Sequence, residues 1–90
     1  GARMSEYAAV TEWHPYEGAV HGYNELGDEV VEIEALQNQR ERLRWGETYT
    51  PGRAWCVTHE DGRLTHGHAP DLRAAKKQAA QALASGGRRA

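Results

Sequence analysis

The stretch AWCVTHEDGRLTHGHA (Ala54–Ala69), running into PDLRAAKKQAAQALA (Pro70–Ala84), decides the fold. Asp61-Gly62 stands between two β-prone runs. That pair is the strongest short-range hairpin signal, because a two-residue type I′ turn needs φ > 0 at both central positions. Such a turn sets Glu60 opposite Arg63, His59 opposite Leu64, Val57 opposite His66 and Trp55 opposite His68. Trp55, Val57 and Leu64 then share one face, and Glu60 and Arg63 form a cross-strand charge pair. A three-residue loop would flip the parity of one strand and bring Leu64 beside Thr58 and Cys56. The two-residue register is preferred because it gathers the large apolar residues on one side.

A helix follows over 71–84. Asp71 after Pro70 is a candidate N-cap, and Leu72, Ala75, Ala79, Ala82 and Leu83 recur at helical spacing. Ser85-Gly86-Gly87 ends it with residues suited to the left-handed region. The stripe is mostly alanine, so the helix can lie close on a sheet, over Trp55, Val57 and Leu64. Arg73, Lys76 and Lys77 project from its exposed side.

Upstream, Tyr7–Trp13 alternates weakly and reads as a strand that His14-Pro15 interrupts, since proline offers no N–H. Gly18–Tyr23 reads as a second strand and Asn24–Gly27 as a loop. Residues 28–45 read as a helix. Asp28 is a candidate cap and Gly46 a stop. Glu29, Glu32 and Glu34 come early, and Arg40, Arg42 and Arg44 late, which suits the helix dipole. The alternation of Val31-Glu32-Ile33-Glu34-Ala35 leaves a β-hairpin as the alternative. Residues 46–53 form a loop into hairpin 54–68. The class is α+β: a small antiparallel sheet with helices 28–45 and 71–84.

Ninety residues make one domain, here 4–85, with a stability of roughly 5 kcal/mol. Gly1-Ala2-Arg3 ahead of Met4 reads as a cloning scar, and 86–90 as a disordered basic tail. No apolar run is long enough to span a membrane and no signal peptide is visible, so a cytoplasmic location is expected. Cys56 is the only cysteine, which excludes a disulfide scaffold. The net charge of −2 hides a split. Residues 1–39 hold one basic and eight acidic side chains; residues 40–90 hold ten basic and five acidic. Such polarity serves an acidic partner at one end, two surfaces folding on each other, or subunits meeting head to tail.

Few residues carry a chemical signature. Cys56, His59, His66 and His68 form a C-x2-H…H-x-H set. In the preferred register, however, Cys56 points away from the histidines, and zinc wants three or four convergent ligands. No metal or cofactor is expected. A single strand cysteine is more often a small apolar residue than a nucleophile. Ser5 and Ser85, the only serines, lie near the ends, and no phosphate-binding glycine pattern is present. Trp13, Trp45 and Trp55 are expected in or at the edge of the core, since the chain has no phenylalanine. The carboxylates of 25–34, Glu29, Glu32 and Glu34 among them, form a solvated face or a surface that mimics nucleic-acid phosphates.

Arg73, Lys76 and Lys77, supported by Arg63 and the tail arginines, form a basic edge. A hairpin followed by a helix with an early lysine pair, AAKKQAAQALA, resembles the C-terminal half of double-stranded-RNA-binding domains. It is also similar to the arm-binding domains of phage integrases. The resemblance covers about 30 residues and implies that Lys76 and Lys77 meet phosphates across a major groove. The general look is that of a small phage-encoded protein. The expectation is a non-enzymatic accessory protein. It would bind duplex DNA or RNA through Arg63, Arg73, Lys76 and Lys77, or a host protein through Glu29, Glu32 and Glu34.

Overall fold

A computed structural model describes residues 6–36, 43–46 and 52–86. After a 3-10 turn at Glu6–Ala8 come β1 (Glu12–Tyr16), β2 (Ala19–Tyr23), β3 (Glu29–Ile33), β4 (Arg53–Thr58), β5 (Leu64–Ala69) and the helix α1 (Leu72–Ala84). The strands form one five-stranded antiparallel meander in sequence order, and α1 packs across β3, β4 and β5. The class is α+β, with the hairpin and the C-terminal helix in place.

α1 forms as its sequence dictates. The Asp71 carboxylate accepts from the Ala74 N–H at 2.8 Å, and Ser85 and Gly86 close the last turn through the carbonyls of Gln81 and Leu83. Ala75, Ala79 and Leu83 are buried. The small side chains of Ala75 and Ala79 let the backbone approach a core of Val20, Val30, Val31, Ile33, Trp55, Val57 and Ala69.

The region 28–45 corrects the helix expectation. Glu29–Ile33 is a strand, paired with β2 on one side and β4 on the other. Leu36, Leu43 and Arg44 are helical, and 37–42 lie outside the described residues. Charge order along a helix dipole contributes tenths of a kcal/mol per group, whereas Val30, Val31 and Ile33 are each at most 1% exposed here. Burying three such side chains is worth about 1.5–3 kcal/mol apiece, so packing overrides the dipole argument. A bulge opposite Gly22/Tyr23 leaves Val30 as the extra residue, so the neighbours Val30 and Val31 both reach the core.

The hairpin register is also corrected. His59 N–H donates to the Arg63 carbonyl at 2.8 Å and Gly62 N–H to the His59 carbonyl at 2.9 Å, which makes a three-residue loop. Gly62 alone has φ in the left-handed region, at 89°, so no type I′ turn forms there. Leu64 faces Thr58, Cys56 faces His66, and Trp55 faces Gly67. Leu64 consequently lies outside the core and is 57% exposed. The type I′ turn is instead at Glu17-Gly18, with φ of 52° and 82°, between β1 and β2.

Pro15 does not interrupt a strand. It sits inside β1, which begins at Glu12, and Tyr7 and Ala8 belong to the 3-10 turn. Tyr16, His14 and Glu12 turn their backbone groups to β2, so Trp13 and Pro15 turn theirs to the free edge. The missing proline N–H therefore costs no ladder bond. Of the tryptophans, Trp55 is buried and Trp13 half-buried, but Trp45 is 82% exposed in a turn and contributes nothing to the core.

Candidate binding surfaces

The ladder fixes what lies on the face of the sheet away from α1. One row of directly paired residues crosses all five strands: His14, His21, Glu32, Cys56 and His66. Flanking it on the same face are Glu12, Tyr16, Tyr23, Glu29, Ala54, Leu64 and His68. Every one of these residues is exposed or half-buried. The extra residue Val30 in the bulge puts Glu29 and Glu32 together on this open face.

The rings and carboxylates are linked. The His21 imidazole bonds the Glu29 carboxylate, and His14 Nε2 lies 3.3 Å from Glu12 Oε2. His14 meets Tyr23 edge-on at 5.5 Å, and Tyr16 lies 6.5 Å from His21. Glu32, Glu34, Cys56 and His66 line a shallow depression. Burial, and then the Glu32 carboxylate, push the Cys56 thiol upward, so it is held protonated and is a poor nucleophile.

The histidines are sorted differently from expectation. Cys56, His66 and His68 share the open face, whereas His59 is turned inward and is 4% exposed, with Nε2 at 2.6 Å from Thr65 Oγ1. One change of register reverses the grouping. Among the described residues, no three His, Cys, Asp or Glu side chains stand together closely enough to hold a metal ion. No described helix is long and apolar enough to cross a membrane.

The basic edge is thinner than its sequence. Arg63 is committed: Nε donates to Asp61 Oδ2 at 2.6 Å and Nη2 to the Gly86 carbonyl at 2.9 Å, tying the hairpin tip to the end of α1. Hydrogen bonds from the Arg63 backbone and side chain hold the Asp61 carboxyl below the usual carboxylate range. Lys76 is half-buried, with Nζ 5.4 Å from the centre of the Trp13 ring. Arg73 and Lys77 are exposed one turn apart and belong to no described ion pair. The tail arginines lie outside the described residues.

The ring-rich row escaped the sequence because its parity depends on the loop length at Gly62. A signal was present: Gly67 leaves room for the Trp55 indole, and only the three-residue loop sets the two opposite each other. No protein-family model, curated protein or solved structure matches the chain.

Proposed function

We propose that the chain is a non-enzymatic binding domain whose open sheet face takes a cationic segment of another protein. The observation that carries this reading is the row His14–His21–Glu32–Cys56–His66 with Glu12 and Glu29 beside it. Carboxylates there supply charge for lysine or arginine, and the tyrosine and histidine rings supply flat area for the aliphatic stems. Glu34, at the rim of the depression, extends the acidic strip.

A second reading, duplex binding along α1, rests on a different observation: residues 72–84 contain Arg73, Lys76 and Lys77 and no carboxylate. Magnitude ranks it lower. With Arg63 tied to Asp61 and Lys76 laid on Trp13, Arg73 and Lys77 remain free among the described residues of this edge. Two phosphate contacts give a salt slope of only about −2, far short of a tight duplex binder.

Fluorescence anisotropy with a labelled lysine- and arginine-rich peptide, and in parallel with labelled duplexes, tests both. The expected result is peptide binding that Glu29→Lys with Glu32→Lys abolishes and Arg73→Glu with Lys77→Glu leaves unchanged. Duplex binding lost on the second pair of reversals, with no peptide binding, would overturn the proposal in favour of α1.

A further inference from the structure

The free edge of β5 has the properties of a pairing surface. β5 holds six residues in unbroken register with β4, with no proline, no bulge and no Lys, Arg, Asp or Glu. Those are the devices by which edge strands resist addition of another strand. The bond from His59 N–H to the Arg63 carbonyl fixes the parity of the ladder. Arg63, Thr65, Gly67 and Ala69 turn their backbone groups to β4, so Leu64, His66 and His68 turn theirs outward. Among the described residues, the elements packed against β5 are β4 and α1.

We propose that this edge pairs with the same edge of a second copy of the chain, antiparallel about a two-fold axis at His66. Backbone chemistry selects the register, and in that register the edge is complementary to itself. With His66 facing its own equivalent, Leu64 faces the second copy's His68, and every outward N–H and C=O of the three residues finds a partner. A slip of two residues one way brings Pro70, which has no N–H, into the ladder. A slip the other way brings in Gly62, which belongs to the turn. The side chains agree. Leu64, 57% exposed, is covered by the second copy's imidazole. The interface is isologous and closes at two subunits.

Sedimentation velocity over a dilution series, joined to amide hydrogen exchange, tests this on the whole chain. His66→Pro removes one outward N–H and no bond to β4, the arrangement that Pro15 already has on the opposite edge. Leu64→Lys adds a charge on the exposed side without touching the backbone. The expected result is a doubling of mass with concentration in the parent, with slow exchange at Leu64, His66 and His68. Both variants stay at the monomer mass with unchanged far-UV circular dichroism and fast exchange at the remaining outward amides. A parent that stays monomeric throughout, or a dimer that survives both substitutions, overturns the proposal.

Discussion

Hairpins β1–β2 and β4–β5 each lay a tryptophan on the glycine directly opposite, Trp13 over Gly22 and Trp55 over Gly67. They differ in everything around that pair. Trp55 is 7% exposed under α1, and its indole N–H donates to Gln78 Oε1 at 3.1 Å. Trp13 lies at the periphery with Lys76 above it. The first hairpin closes with a type I′ turn and carries Pro15 on its outer strand; the second closes with a three-residue loop and has no proline in its outer strand. The difference teaches that turn chemistry yields to packing. Asp61-Gly62 suits a two-residue turn, but that turn would put His66 and His68 beneath the helix and a histidine against Trp55. Two buried imidazoles without partners cost about 1–3 kcal/mol each. Exposing Leu64 forfeits only about 2 kcal/mol, so the register that sacrifices Leu64 wins.

The comparison breaks most sharply at the glycines. A Cβ on Gly67 would stand 2.1 Å from Trp55 Cζ2, in a ring clamped beneath α1. Gly67→Ala should cost about 3 kcal/mol, the upper end for overpacking. A Cβ on Gly22 would stand 2.9 Å from Trp13 Cζ3, in a half-buried ring that can shift outward. Gly22→Ala should cost about 1 kcal/mol. Urea unfolding of both variants measures the gap, and equal losses would refute the view that α1 is what makes the second pair rigid.

The turns respond more weakly. Glu17 holds φ of 52°, which asparagine tolerates better, so Glu17→Asn should raise stability by about 0.5 kcal/mol, read as a higher urea midpoint. The smallest effect is expected from Asp61. Its folded-state pKa is depressed, so its contribution is present above the ordinary carboxylate value and is lost as pH falls through the folded value. Acid titrations of the parent and of Asp61→Asn should therefore converge only at the acid end. Parallel curves throughout would remove Asp61 from the turn's energetics.

The helix was legible because local chemistry specifies it: a cap at Asp71, an alanine stripe and a glycine stop. The hairpin's existence was legible, but its parity was not, since parity is decided by the match of Trp55 to Gly67 across strands. β3 misled because Glu29 to Arg44 satisfies helix rules locally, while the pairing that makes 29–33 a strand comes from β2 and β4. The acidic and basic residues singled out from sequence are present where the structure describes them. What sequence could not supply was which of them are already spent, as Arg63 and Lys76 are.

The meander also dictates an order of assembly. Three of the four connections between paired strands are short turns, but β3 meets β4 across residues 34–52, at Val31–Val57, Glu32–Cys56 and Ile33–Trp55. Lengthening that link is cheap, about 0.6 kcal/mol per doubling, so it is the place for inserting foreign chain. It is also a seam between an acidic front half and a basic rear half. Opposite charge should draw the halves together before their strands register, and salt should slow that encounter while leaving each hairpin's own closure untouched.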